Sequence, residues 1–131
     1  MPDDRATDTR PVILLIDDDG AVRDSLALLL ETHGYRVITA RDGRRGIAAF
    51  GEHRPAVVIT DILMPEQDGI GAIREMRRLN AHTKIVAMSG GGKVDKADYL
   101  TVAEQLGADI GIEKAHLNQL LTILPKLLGP A

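Results

Sequence analysis

Short apolar runs alternate along the chain with longer stretches in which apolar residues recur every three or four positions. The runs predict strands at 12–16, 36–40, 57–60, 84–88 and 109–112. They are continuously apolar rather than alternating, which marks strands covered on both faces. Between the first two, "RDSLALLLETHG" places Leu26, Leu29 and Leu30 on one helical face and stops at Gly34, a residue suited to a C-cap. The segments "DGRRGIAAFGEH" and "DGIGAIREMRRL" each open on an Asp able to cap free backbone N–H groups. A fourth helix is predicted over 98–106 and a last one from about 115 to 128, with Pro125 expected to kink or shorten it. This alternation predicts an α/β fold, a doubly wound five-stranded parallel sheet in the order 2-1-3-4-5.

Ligands in such a sheet sit beyond the carboxyl ends of the strands. Strand 1 delivers Asp17, Asp18 and Asp19 there, strand 3 delivers Asp61, strand 4 Ser89, and strand 5 is followed by Glu113 and Lys114. Acids, a hydroxyl and an ammonium therefore converge on one rim. Two carboxylates about 4 Å apart at an effective dielectric of ~20 repel by roughly 4 kcal/mol, so the acids require a cation or a partner side chain. Carboxylates with water suit a hard Mg²⁺ ion, which usually binds through one or two carboxylates and a phosphate. The spacing describes a cation site beside a phosphate site. Asp19 reads equally well as the cap of the first helix. His33, His53, His82 and His116 fall in different elements without ligand spacing and read as solvated surface residues.

Composition narrows the functions. The 131 residues make one domain, 12–131, behind a polar tail, 1–11, expected to be disordered, and leave no room for an attached output domain. A net charge of -3 and only three aromatic residues, Tyr35, Phe50 and Tyr99, give no footprint or stacking platform for nucleic acid. The absence of cysteine excludes disulfides, thiol catalysis and zinc–thiolate sites and fits the cytoplasm. The N-terminus is neither a signal peptide nor a membrane anchor, so no membrane partner is expected.

Four motifs in order, each at a strand end, now matter together: the acids after strand 1, "TDILMPEQDG", "AMSGG", and Lys114. The chain resembles the receiver domain of two-component response regulators over nearly its whole length after the tail. The resemblance implies the flavodoxin-like receiver fold and a phosphoprotein of two-component signal transduction, not a turnover enzyme. Asp61 resembles the phosphoacceptor, Asp18 the direct Mg²⁺ ligand and Asp17 its partner, with Asp61 and the backbone carbonyl of Leu63 completing the metal site. Ser89 resembles the switch hydroxyl and Lys114 the ammonium that hold phosphoryl oxygens. The partner is then a histidine kinase or phosphotransferase, and a stand-alone receiver would signal by protein contact or onward phosphotransfer.

The chain departs from that pattern in places. Receivers usually carry a cis Lys-Pro where this chain has Lys114-Ala115, and an aromatic switch residue where it has Gly111. The loop after Ser89 is longer and Gly-rich, which predicts that phosphorylation orders 90–97. The side chains at Leu63 and Gly91 offer no polar group to an attacking water, so slow self-hydrolysis is expected. An alternative is a haloacid-dehalogenase-like phosphohydrolase with Asp17 as nucleophile and Asp19 as acid/base. It lacks an acidic motif after Lys114 and leaves "TDILMPEQDG" unexplained. A flavin site is disfavoured by the acids after strand 1, and a degenerate receiver that only binds partners is a third reading.

Overall fold

A computed structural model of the chain describes residues 8–62, 69–89, 101, 103–105 and 107–129. The expectations on Leu63, Gly91 and the loop 90–97 fall outside these residues, as does most of the predicted 98–106 helix, whose described residues 101 and 103–105 are helical. The elements are β1 (Val12–Ile16), α1 (Gly20–Thr32), β2 (Arg36–Ala40), α2 (Gly43–His53), β3 (Val57–Asp61), α3 (Gly69–Leu79), β4 (Lys84–Ser89) and β5 (Ile110–Glu113). A 3₁₀ segment, Lys114–Gln119, then leads into a C-terminal helix, Leu120–Leu128. The strands form one parallel sheet in the order β2-β1-β3-β4-β5. No helix among the described residues is long and apolar enough to cross a membrane.

The two faces of the sheet carry separate cores. In β1, Ile13 and Leu15 face α1 and the C-terminal helix, where they meet Leu26, Leu30, Leu120 and Leu124. Leu14 and Ile16 face the opposite way, toward Phe50, Ala72, Ile73 and Met76 of α2 and α3. This is the period-two geometry of a strand buried on both sides. Gly46 sets the approach of α2 to the sheet. A Cβ there would fall 2.8 Å from Cγ1 of the buried Ile16 and closer still to its Cδ1.

Local caps follow the sequence. Asp19 accepts from the backbone N–H of Ala21 and Val22 and starts α1, and Asp42 accepts from Arg45 N and starts α2. After Thr32, Gly34 takes a φ of 95°, the left-handed turn that ends α1. The last helix differs from expectation. Its first turn is 3₁₀ and is interrupted at His116, with no side-chain cap from Glu113, because Lys114 directs its side chain back to the acid rim. Pro125 does not end the helix, which continues to Leu128 and closes with Gly129 N–H on the Pro125 carbonyl at 3.1 Å.

The opposite end of the sheet is tied by Arg77. Its guanidinium donates to the carbonyls of Ala81, Thr83 and Gly107 at 2.7–3.0 Å and to Asp109 at 3.0 Å. Asp109 in turn accepts from Ile85 N at 2.7 Å, so α3 is fastened to the segments entering β4 and β5. Leu127 and Leu128 face a hollow of about 320 Å³ shared with Pro55, Ala56, Thr83 and Lys84, which lead into β3 and β4. The Pro11 carbonyl accepts from Arg36 N at 2.9 Å at the same edge.

Candidate phosphoryl and metal site

Three buried strands end in the candidate site. β1 runs directly into Asp17, which is fully buried, and its N–H donates to the Ala40 carbonyl at 3.1 Å. β3 ends on Asp61, 4 % exposed, in register with Met88 of β4. Ser89 lies one residue beyond Met88, is 1 % exposed, and is in register with Glu113 of β5. Gly111 lies within β5 opposite Ala87. The described residues contain no cis peptide bond, so Lys114-Ala115 is trans.

Carboxylate oxygens of Asp17, Asp18 and Asp61 all lie within 4.8 Å of one another, Asp17 and Asp61 buried and Asp18 exposed. The charge is offset by Lys114, whose Nζ sits 2.8 Å from Oδ2 of Asp17 and 2.8 Å from Oδ2 of Asp61. It donates a hydrogen bond to Asp61; the Asp17 contact is an ion pair without hydrogen-bond alignment, and Oδ2 of Asp17 has no hydrogen-bond partner among the described residues. Burial acts to lower the Lys114 pKa, but the two carboxylates outweigh it and hold the ammonium above its ordinary value. Lys114 is therefore a fixed positive charge between two buried acids. Oδ1 of Asp17 accepts from Asp19 N at 2.9 Å, which fixes the bend of the acid run.

Asp19 does not join the cluster, because its side chain is committed to the α1 cap. Two supporting residues escaped the sequence reading. Arg23 donates from Nη1 to the Asp17 carbonyl at 2.8 Å, and Thr60 donates from its buried hydroxyl to the Asp61 carbonyl at 3.0 Å. Arg23 is the first basic residue after the acids, one helical turn into α1, and that position was the available signal. A threonine in a buried strand carried no such signal, since its bond is to a backbone atom.

Ser89 Oγ is buried with no hydrogen-bond partner among the described residues. Among the described residues the site thus combines a carboxylate cluster able to share a hard cation, the Lys114 ammonium, and the Ser89 hydroxyl without a partner.

The family model described as response regulator receiver domain matches residues 13–124. Probable transcriptional regulator ycf27 of Guillardia theta is 38% identical over 102 residues, covering 78% of this chain and 39% of the relative. Transcriptional regulatory protein AfsQ1 of Streptomyces coelicolor is 34% identical over 111 residues, covering 85% and 48%. Regulatory protein AtoC of Escherichia coli is 34% identical over 117 residues, covering 88% and 25%. The chain thus spans between a quarter and about half of the length of these relatives. Among solved structures, a response regulator receiver domain protein from Clostridium thermocellum superposes with a TM-score of 0.82 at 28% identity, covering 90% of this chain and 94% of that one. A CheY-like receiver domain protein from Methanospirillum hungatei gives 0.83 at 26% identity, covering 92% and 94%.

Proposed function

Because the chain belongs to the response regulator receiver domain family, we propose that it accepts a phosphoryl group on Asp61 from a phosphohistidine of a histidine kinase or phosphotransferase. The observation that carries this reading is the buried Asp61 carboxylate, held by Lys114 at 2.8 Å and sharing a carboxylate cluster with Asp17 and Asp18.

An Asp61 carboxylate oxygen forms the new bond to phosphorus as the P–N bond of the donor breaks, and the imidazole leaves with that electron pair and is protonated from solvent. The loose transition state spreads negative charge over the equatorial oxygens. Lys114 stabilises one of them with an ammonium already in place, which needs no reorganisation during transfer. Ser89 donates to another. A buried hydroxyl without a partner costs about 1–3 kcal/mol, and a phosphoryl oxygen supplies the missing acceptor. The carboxylate oxygens fit a hard divalent ion, and Asp17, Asp18 and Asp61 would hold Mg²⁺, which supplies charge neutralisation for the phosphoryl oxygens.

What residues 13–124 pass on leaves by contact with another protein or domain, or by onward phosphotransfer. No feature supports the phosphohydrolase alternative. Its nucleophile, Asp17, already has Oδ1 on Asp19 N and Oδ2 against Lys114, and its acid/base, Asp19, is the α1 cap.

The test is incubation with acetyl phosphate and Mg²⁺, followed by intact mass. Addition of one phosphoryl group to wild type and, more slowly because a metal-holding carboxylate is lost, to Asp17→Asn, but not to Asp61→Asn, is the expected result. Labelling of Asp61→Asn that disappears in Asp17→Asn overturns it.

A further inference from the structure

The carboxyl end of β2 opens into a second hollow of about 280 Å³, lined by Arg23, Thr39, Ala40, Arg41 and Arg45. Its three arginines come from three places, the first turn of α1, the end of β2 and the first turn of α2. The carboxylate paired with them is Asp42, which accepts from Nη1 of Arg45. Three guanidinium groups line the hollow, with Asp42 paired to Arg45 and the acid run reaching Arg23 and Ala40 through the Asp17 backbone.

Much of that donor capacity is unused. Arg41 makes no hydrogen bond or ion pair among the described residues, and Arg23 engages only Nη1, on the Asp17 carbonyl. Guanidinium groups converging on one hollow match phosphate oxygens in charge and fork geometry. The hollow lies just below the size range of sites for drug-sized ligands, roughly 300–1,000 Å³. It is scaled to a phosphate or pyrophosphate group rather than to a folded partner.

We propose that Arg23, Arg41 and Arg45 form a binding site for a small phosphate-bearing anion, and that its occupancy reaches the acid cluster through the Arg23 bond to the Asp17 carbonyl. An anion drawing on the free edge of the Arg23 guanidinium acts on the backbone of the acid run, where Asp19 N–H in turn holds Oδ1 of Asp17. Binding at the hollow stands apart from the phosphoacceptor reading; only the significance of the coupling rests on it.

Pyrophosphate titrated into the full chain in metal-free buffer, followed by NMR of arginine Nε–H and backbone amide signals, tests both parts. Saturable shifts at Arg23, Arg41 and Arg45 are expected, with affinity about tenfold weaker in Arg41→Gln, as loss of a charge-assisted pair implies. Arg78→Gln, on the exposed Arg78–Glu75 pair of α3, is expected to bind as wild type. The Asp19 amide should shift in wild type and not in Arg23→Gln. Shifts that do not saturate, that spread equally to Arg54, Arg74 and Arg78, or that weaken equally in Arg78→Gln overturn the site. A phosphoserine peptide binding more tightly than pyrophosphate overturns the small-ligand assignment. Asp61→Asn should retain pyrophosphate binding, so failure of the phosphoacceptor reading and failure of this site give different results.

Discussion

Lys114 is the residue on which the candidate site balances, since one ammonium answers two buried carboxylates. Replacing it by glutamine removes the ammonium that bridges Asp17 and Asp61. Without metal, Lys114→Gln is expected to lose about 3–5 kcal/mol, the range for removing one partner of a buried pair. A divalent ion held by the same carboxylates would offset the same charge, so Mg²⁺ should stabilise the variant more than it stabilises wild type. Thermal melts of both proteins with and without Mg²⁺ check this, and an equal metal-induced shift would show that Lys114 and the ion do not compete. Gly46 is decided by space instead. Alanine is worth about 1 kcal/mol over glycine in a helix, but overpacking costs about 1–3 kcal/mol, and Ile16 is fully buried and cannot move aside. Gly46→Ala is expected to destabilise by up to about 2 kcal/mol. Adding Ile16→Val removes the Cδ1 methyl that the new Cβ meets but keeps Cγ1, and should recover only part of the loss in denaturant melts.

At the scale of elements, the Asp42 cap of α2 makes a contribution that pH can read. Asp42 is held below the usual carboxylate range, chiefly by the Arg45 backbone N–H it accepts; burial acts to raise it, and the Arg45 side-chain hydrogen bond with the Arg45 and Arg41 charges lowers it further. A depressed folded value means a contribution present above the unfolded value of 3.8 and lost as pH falls through the lower folded one. Asp42→Ala should therefore cost about 1 kcal/mol at pH 7, with the gap to wild type constant down to the unfolded value and closing below it. Urea melts across that range measure the gap. Arg77 fastens elements that no local rule connects. Its loss strands the carbonyls of Thr83 and Gly107 and the Asp109 carboxylate, and Arg77→Ala is expected to cost about 2–4 kcal/mol. Lysine, a point donor without the fork, should recover little of it in the same melts.

These elements also show what could be read from sequence. Strands β1 and β2 stand at the predicted residues, because each apolar run is bounded by residues that leave the strand conformation, and the order of the sheet follows from crossover handedness. The joint placement of Asp17, Asp18, Asp61, Ser89 and Lys114 was legible for the same reason: strand ends are the positions that register controls best. The 3₁₀ turn after β5 was not, since it answers to a side chain reaching across the sheet rather than to local propensity. Arg77 was illegible as well. It acts on the Gly107 carbonyl, 30 residues away in sequence, and nothing in a carbonyl's own residue type announces the partner.

For the molecule as a whole, the sheet has two unlike ends: acids, ammonium and arginine hollow at the carboxyl end, and the Arg77 fastening with both described chain ends at the other. The hollow where Leu127 and Leu128 meet Pro55 and Lys84 thus has a practical meaning for how the protein can be held on a solid surface. Immobilised through a linker at either terminus, it would turn its reactive rim outward, as an oriented sensor layer requires. Labelling by acetyl phosphate should then proceed at the solution rate for both attachments, and slow only when the linker is moved to the rim, for example through a cysteine replacing the exposed Arg41.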